Sequence, residues 1–296
     1  MQVVVIDDTL ITARLIAEYL KKIGGVDPII FTDPEEGLRY CMDNEIDLLM
    51  VDYMMPKMNG LDVIRSYREQ RSKEEFPIVM VTAMEERDVL RQAFEAGAND
   101  FVPKPLEPVE LIARAQSLLT LRARTVELRR MATIDFLTNV FIRRYFMEVA
   151  EREVVRCKRY GQPLTLCMLD VDHFKHVNDS YGHAAGDEVL KFIAEKCMES
   201  LREPDSIGRL GGEEFAICLP ETSADEAQAV AKRCHKAIED ASIDVGDGES
   251  VQVTVSIGLA QWSEGETLDD VLRRADRALY KAKEAGRNKV VIAACF

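Results

Sequence analysis

Long apolar runs are absent from this sequence of 296 residues. Val3–Ile6 is a short apolar run that two aspartates follow at once, and no stretch approaches the roughly 20 apolar residues that a membrane-spanning helix needs. The N-terminal residues also lack the pattern of a signal peptide. We therefore expect no membrane insertion.

Cysteines in paired spacing and an excess of basic residues are also missing. The seven cysteines include no CxxC pair, which is typical of reduced thiols and predicts a cytoplasmic protein. His173, His176 and His183 lack cysteine partners at ligand spacing, which disfavours a zinc site. A net charge of −14 disfavours nucleic-acid binding and makes a small nucleotide with metal ions the expected phosphate partner.

The first half of the chain alternates short apolar runs with helical patterns, within a length that predicts about two domains. Such alternation predicts an α/β fold with a doubly wound, five-stranded parallel sheet. The site of such a sheet lies at the carboxyl ends of its strands. The expected strands are residues 2–6, Ile29–Phe31, Leu48–Val51, Ile78–Val81 and Asp100–Val102.

Polar residues follow four of these strands and should converge on one crevice. They are Asp7 and Asp8, Asp52, Thr82 and Lys104. Three carboxylates at close quarters repel one another, and a divalent cation, by default Mg²⁺, relieves that repulsion. One carboxylate can then attack phosphorus, while the lysine and the threonine hold the new phosphoryl oxygens.

This half of the chain resembles the response-regulator receiver family over about residues 1–120, with its flavodoxin-like fold. The motifs are Asp7-Asp8, Asp52 through Gly60, Thr82-Ala83 and Lys104-Pro105. The resemblance implies that Asp52 accepts a phosphoryl group from a cognate histidine kinase and that Thr82 and Lys104 contact that group. It assigns Mg²⁺ to Asp7, Asp8, Asp52 and Met54, and a rotamer switch to Phe101, for which plain core packing is the alternative.

A helical pattern without glycine or proline connects the two halves. Leu118, Leu121, Thr125 and Leu128 are spaced as a short coiled-coil seam. We interpret residues 121–133 as a helical linker that forms a dimer stalk and passes the state of the first domain to the second. A solvated arginine-rich face is the alternative.

Gly211-Gly212-Glu213-Glu214-Phe215 stands between two strand-like runs in the second half. Adjacent glycines at a hairpin tip let backbone N–H groups approach a phosphate, and the glutamates offer carboxylates to a hard cation. An ordinary hairpin with solvated acids is the alternative. The surrounding strand and helix patterns predict an α+β domain with a partly antiparallel sheet, including one strand over Val251–Gly258.

This half resembles the GGDEF family, the catalytic domain of diguanylate cyclases, which has a nucleotidyl-cyclase-like α+β fold, and we assign residues 134–296 to it. Beside the hairpin, the matching motifs are Asp135 to Thr138, Asp170 to Lys175, Val255 to Gly258 and Ala275 to Asn288. Asn139 departs from the family pattern. Asparagine tolerates left-handed backbone better than other non-glycine residues, so the turn should persist.

The resemblance implies that two GTP molecules condense to cyclic di-GMP and two pyrophosphates between facing sites of a homodimer or higher homo-oligomer. Glu213, or alternatively Glu214, would take the 3′-hydroxyl proton. Asp170, Glu213 and the Val171 carbonyl would bind Mg²⁺, with Mn²⁺ as the alternative. The implied GTP-binding residues are Asn178 and Asp187 for guanine, Lys283 and Arg287 for the β- and γ-phosphates, and Gly211, Gly212, Phe174 and Lys175 around the nucleotide.

Arg202-Glu203-Pro204-Asp205 lies at the family's spacing for an allosteric inhibitory site that binds the product. An arginine fork beside a carboxylate suits a guanine edge and a phosphate. Arg233 is a further candidate, contributed by a partner subunit. A salt pair at a helix end is the alternative interpretation of the Arg202 and Asp205 pattern.

The favoured hypothesis is a phosphorylation-regulated diguanylate cyclase. The first alternative is a catalytically weak response regulator that senses cyclic di-GMP or GTP, against which the intact Asp170, Glu213, Lys283 and Arg287 argue. A transcriptional regulator is disfavoured by the acidic charge. An enzyme that joins other purine nucleotides is disfavoured by Asn178 and Asp187.

Overall fold

The computed structural model describes residues 1–73, 75–83, 87–246 and 249–294, with Arg87 described by its backbone alone. The chain divides into two compact units, Met1–Arg129 and Arg130–Phe296. Cys295 and the expected helical residue Glu86 lie outside the described residues. Each unit is described by itself below.

The first unit is built on a parallel sheet, as predicted. Its strand order is β2-β1-β3-β4-β5, and every neighbouring pair is parallel. The ends of β1, β3, β4 and β5 therefore lie along one edge. The strands are β1 Gln2–Ile6, β2 Asp27–Phe31, β3 Leu48–Asp52, β4 Ile78–Thr82 and β5 Asp100–Pro103.

Helices cover both faces of this sheet, which explains why its strands are apolar throughout. Val4 and Ile6 of β1 belong to one hydrophobic cluster, and Val3 and Val5 belong to the other, as the two-residue period of a strand requires. The helices are α1 Leu10–Leu20, α2 Pro34–Asp43, α3 Gly60–Arg68, α4 Arg87–Ala96 and α5 Pro108–Thr133.

The last of these helices continues without a break through the predicted linker. Leu111, Ala115 and Leu119 of α5 are buried, whereas Leu121 and Leu128 are 58% and 67% exposed. Exposed leucines seven residues apart keep the pattern of a coiled-coil seam. The role of residues 121–133 as a dimer stalk stays a prediction.

The second unit contains a mixed six-stranded sheet with the order β13-β12-β7-β9-β8-β6. The central strand β7 is antiparallel to both β9 and β12. A separate antiparallel pair, β10 and β11, stands outside this sheet. The strands are β6 Phe141–Ile142, β7 Leu164–Val171, β8 Ser206–Gly211, β9 Glu214–Pro220, β10 Ile243–Gly246, β11 Glu249–Val251, β12 Val255–Gln261 and β13 Val290–Ile292.

Two hydrophobic clusters pack on opposite faces of the mixed sheet. Cys167 and Leu169 of β7 join the cluster that includes the two helices α8 and α9, while Leu166 and Met168 join the cluster that includes α6 and α10. The sheet is therefore buried on both sides. The helices are α6 Arg143–Tyr160, α7 Phe174–Tyr181, α8 His183–Glu199, α9 Ala224–Glu239 and α10 Leu268–Glu284.

One predicted strand of the second unit is wrong in extent. The single strand expected over Val251–Gly258 is divided, because β11 ends at Val251 and β12 begins at Val255. At the break, the Asp172 amide donates to the Thr254 carbonyl oxygen at 2.9 Å. This bond extends the β7–β12 pairing by one residue, whereas Val251 pairs with Ile243 of β10, a strand that was not predicted.

The turn at Asn139 and the cysteines agree with expectation. Asn139 has φ of 56°, the left-handed conformation that asparagine tolerates. The six cysteines among the described residues are buried and form no disulfide with one another. Over the same described part of the chain, no helix combines the length and the hydropathy that crossing a bilayer requires.

Candidate functional sites

An acidic cluster lies at the edge of the parallel sheet. Carboxylate oxygens of Asp7, Asp8 and Asp52 come within 4.8 Å of one another. Asp7 and Asp52 are 1% and 5% exposed, whereas Asp8 is exposed. The Lys104 Nζ lies 2.6 Å from Asp52 Oδ1 and 3.1 Å from Asp7 Oδ2. The strand ends thus bring together four of the five residues that the pattern predicted.

Burial and the neighbouring charges shift the pKa values of this cluster in opposite directions. Burial raises the pKa of Asp52, and its contacts with Lys104 counteract only part of that rise. Burial lowers the pKa of Lys104, but its bonds with Asp52 and Asp7 outweigh that effect, so the net shift is upward. Two close carboxylates with one ammonium favour binding a further cation. Oxygen donors of this kind are what Mg²⁺ prefers.

The other predicted residues of this site lie around the cluster. Thr82, at the end of β4, is 1% exposed. The Met54 amide donates to Asp52 Oδ2 at 3.1 Å. Phe101 is partly buried, with the centroid of the Phe94 ring at 6.2 Å and the Arg114 guanidinium carbon at 5.6 Å from its own ring centroid. Its contacts connect β5 with α4 and α5.

The glycine hairpin of the second unit joins β8 to β9, as predicted. Gly212 has φ of 50°, and within the described residues no heavy atom lies within 4 Å of a Cβ built at Gly211 or Gly212. Asp170 on β7 is directly opposite Glu214 on β9. The hairpin therefore has open space at its tip and carboxylates at its base.

Asp170 is the buried acid of this site. Its side chain is 9% exposed, and its Oδ2 lies 2.7 Å from Lys283 Nζ at the end of α10. Burial raises the pKa of Asp170, opposed by Lys283 and reinforced by Glu213 and Asp172. Burial also raises the pKa of Glu214, and the Asp170 charge adds to that rise. A divalent cation suits this set of donors because it relieves their mutual repulsion.

Asn178, one of the two residues predicted to bind guanine, lies beside Gly186 at the junction of α7 and α8. A Cβ built at Gly186 would lie 2.0 Å from Asn178 Oδ1, so the glycine makes room for the amide. Phe174 is buried in the core, whereas Lys175 and Asp187 are exposed. Asp187 follows Gly186 in the first turns of α8.

Arg209 and Asp172 each form several hydrogen bonds near this site, and the sequence assigned neither of them a role. Arg209 donates to Asp135 Oδ1 at 3.1 Å and to the Gly212 carbonyl oxygen at 2.9 Å. Asp172 accepts hydrogen bonds from Thr254 Oγ1, Ser256 Oγ and the Asn288 amide. Apart from the Gly212 contact, these partners are far apart along the chain, so no local pattern could have paired them.

Replacing Arg209 with methionine should destabilise the second unit by about 1–3 kcal/mol, because Asp135 would lose its charged partner. Both side chains are only 17% exposed. Burial raises the pKa of Asp135, but bonds with Thr138 and Arg209 outweigh it and give a net lowering. The stabilisation is therefore present above the unfolded-state pKa of Asp135 and is lost as pH falls through the folded-state value.

Chemical denaturation of the full chain, followed by a probe of the second unit, measures this loss. Arg144→Met is the matched control, since Arg144 is 86% exposed and, within the described part of the chain, pairs only with Glu148 one turn away. Such exposed pairs contribute about 0.5 kcal/mol or less. Equal losses in the two variants would contradict the assignment.

Family comparisons assign both units. The family model described as "Diguanylate cyclase, GGDEF domain" matches residues 132–289, more than half of the chain. The chain belongs to the GGDEF diguanylate cyclase family. Its first unit is a response-regulator receiver domain, whose family model matches residues 3–116. Both resemblances predicted from the sequence are thus confirmed.

Relatives of this GGDEF protein match one domain or both. Response regulator PleD of Caulobacter vibrioides is 32% identical over 301 residues, which cover 98% of this chain and 65% of PleD. Diguanylate cyclase DgcP of Pseudomonas aeruginosa is 42% identical over 165 residues, 56% of this chain and 24% of DgcP. This chain therefore spans less than two thirds of the length of either relative.

Solved structures support the fold of the GGDEF domain. The crystal structure of the coiled coil and GGDEF domain of DgcB from Caulobacter crescentus, in complex with c-di-GMP, is 31% identical with a TM-score of 0.59. The match covers 62% of this chain and 98% of that one. The predicted fold classes are confirmed, while the domain boundaries and the roles of individual residues stay predictions.

The Arg202 and Asp205 pair of the GGDEF domain forms a closed turn in this structure. Asp205 Oδ2 accepts from the Arg202 amide at 2.9 Å, and the Asp205 side chain is 1% exposed. Arg202 also donates to Thr222 Oγ1 at 2.8 Å, and Arg233 donates to the Ser200 carbonyl oxygen. A ligand that uses the Asp205 carboxylate would first have to open this turn.

Proposed function

We propose that this chain is a phosphorylation-regulated diguanylate cyclase that condenses two GTP into cyclic di-GMP and two pyrophosphates. The observation that carries the proposal is the hairpin at Gly211–Phe215 beside the buried Asp170 and its ion-pair partner Lys283. Membership of the GGDEF family and a receiver domain in the same chain support it.

The cyclase reaction forms one phosphodiester bond in each of two steps. The 3′-oxygen of one GTP bonds to the α-phosphorus of the other, the bond from that phosphorus to the bridging oxygen breaks, and pyrophosphate leaves. Glu213, with Glu214 as the alternative, takes the 3′-hydroxyl proton. A divalent cation held by Asp170, Glu213 and the Val171 carbonyl supplies charge neutralisation at the phosphates when bound.

The other residues bind and orient GTP. Lys283 and Arg287 hold the β- and γ-phosphates with their positive charge, and Asn178 and Asp187 bind the guanine edge. Two facing sites are needed because the hydroxyl and the α-phosphorus belong to different nucleotides. Bringing the sites together in a homodimer is therefore a means of control through proximity.

The receiver domain supplies that control in this proposal. A cognate histidine kinase donates a phosphoryl group to Asp52, and Thr82 and Lys104 contact the phosphoryl oxygens. Asp7, Asp8, Asp52 and Met54 would hold Mg²⁺, which would neutralise charge there. The change reaches α5 through Phe101 and favours the dimer. Cyclic di-GMP inhibits through Arg202 and Asp205, with Arg233 of a partner subunit as a further contact.

The direct test is incubation of the purified chain with GTP and Mg²⁺, with and without beryllofluoride as a phosphoryl mimic. Chromatography of the products should show cyclic di-GMP, and its rate should rise with the mimic. A folded chain that binds GTP but forms no product in either condition would instead support the sensing alternative.

The guanine site gives a separate prediction. Gly186→Ala should raise the KM for GTP by about tenfold, because the added methyl displaces the Asn178 amide from its position beside the helix. Steady-state kinetics measure the effect. Ala184→Ser, at an exposed position two residues earlier in α8, is the control and should leave the KM unchanged. An unchanged KM in Gly186→Ala would exclude Asn178 as a guanine contact.

A further inference from the structure

A buried carboxylate beside the proposed phosphate site has no part in the chemistry described so far. Asp172 follows β7 and is 4% exposed. Its Oδ1 accepts from Ser256 Oγ at 2.7 Å, and its Oδ2 accepts from Thr254 Oγ1 at 2.7 Å and from the Asn288 amide at 3.0 Å. Three donors thus converge on one acceptor-only group.

The third donor belongs to an unusual turn. Gly286, Arg287 and Asn288 have φ of 99°, 58° and 47°, so two consecutive non-glycine residues adopt the left-handed conformation. Such residues persist only where surrounding contacts hold them. Here the Arg287 amide donates to the Ala282 carbonyl oxygen at 3.0 Å, and Asp172 holds the next amide.

The Arg287 side chain, which this turn carries, is available to bind a ligand. Arg287 is exposed, and its guanidinium forms no hydrogen bond or ion pair with the other described residues. Lys283, four residues earlier at the end of α10, already contacts Asp170. Arg287 thus combines a strained backbone with an unpaired guanidinium, and it lies near the carboxylates proposed to bind a metal ion. Strained backbone conformations of this kind are concentrated at ligand-binding sites.

We propose that Asp172 is a positioning residue for the nucleotide triphosphate. By accepting the Asn288 N–H, it keeps Arg287 in the left-handed conformation and so fixes the backbone from which the guanidinium reaches the β- and γ-phosphates. A carboxylate suits this position because its charge strengthens each accepted bond. This proposal rests on the proposed function, in which Arg287 binds those phosphates.

Binding of two nucleotides by the full chain tests the proposal. The probes are the α,β-methylene analogue of GTP, which cannot release pyrophosphate, and GMP, which lacks the β- and γ-phosphates. Asp172→Asn keeps the side-chain shape and removes the charge. It should weaken the affinity for the analogue by about tenfold and leave the affinity for GMP within about twofold of the wild-type value.

Two companion variants sharpen the result. Arg287→Ala should show the same selective loss, and the double variant should be no weaker than Arg287→Ala alone, because both changes remove one interaction. Thr254→Val is the control. It removes one donor but leaves each Asp172 oxygen with a partner, and it should preserve affinity for both nucleotides.

Two results would overturn the positioning role. One is an equal loss of affinity for both nucleotides in Asp172→Asn, and the other is a loss of analogue affinity in the double variant that equals the sum of the two single losses. If Asp172→Asn does not fold, an amide-to-ester substitution at Asn288 removes the same N–H and leaves every side chain intact. Unchanged analogue binding there would also refute the positioning role. A wild-type chain that fails to bind the analogue more tightly than GMP would instead count against the proposed phosphate site itself.

Discussion

Replacing Glu213 with glutamine should reduce cyclic di-GMP formation by about a thousandfold or more. Glu213 lies at the tip of the β8–β9 hairpin and is close enough to Asp170 for its charge to raise the pKa of that acid. Glutamine keeps the shape of the side chain. It neither accepts the 3′-hydroxyl proton nor offers a negative oxygen to a cation, so both proposed roles are lost together.

Initial rates of product formation with and without divalent cation measure this loss. Glu221→Gln is the matched control, because it makes the same charge change just beyond the opposite end of β9, where Glu221 pairs with the exposed Arg156. Its rate should equal that of the wild type. If Glu213→Gln stays active while Glu214→Gln does not, the catalytic assignment moves to Glu214.

The receiver site was predictable in position because sheet topology alone dictates it. In a parallel sheet the carboxyl ends of neighbouring strands meet at one edge, so residues as far apart as Asp7 and Lys104 could be placed together without a structure. Their 3.1 Å contact spans the ends of β3 and β4, which stand between β1 and β5, so it also depends on the reach of the lysine side chain. Burial of Asp52 and the net shift of its pKa depend on packing, which the pattern does not encode.

The cyclase site was less accessible to this reasoning. Asp170 meets Lys283 because α10 ends beside the antiparallel strand β7, and only resemblance to a family connected these residues beforehand. Thr254 and Ser256 alternate with valine and isoleucine as in an ordinary strand. Their hydroxyl groups instead donate hydrogen bonds to Asp172, which an ordinary strand pattern does not reveal.

Replacing Asp52 with asparagine should abolish activation of the cyclase by a phosphodonor or by beryllofluoride, which in the wild type is expected to raise the rate by about tenfold or more. Phosphorylation forms a bond between an Asp52 oxygen and phosphorus while the nitrogen–phosphorus bond of the donor breaks. An amide is not a nucleophile for this step. The Lys104 contact at 2.6 Å would also lose its charge partner.

Mass spectrometry after phosphodonor treatment and cyclase rates with the mimic provide two independent readouts of the same site. Asp88→Asn is the control, because Asp88 is 81% exposed on α4, and this variant should be phosphorylated and activated like the wild type. Activation of Asp52→Asn by beryllofluoride would place the regulatory anion elsewhere. If the wild type is phosphorylated without a change in cyclase rate, the receiver domain does not regulate the cyclase. Phosphorylation of Asp52 would then not change how often two GGDEF sites come together.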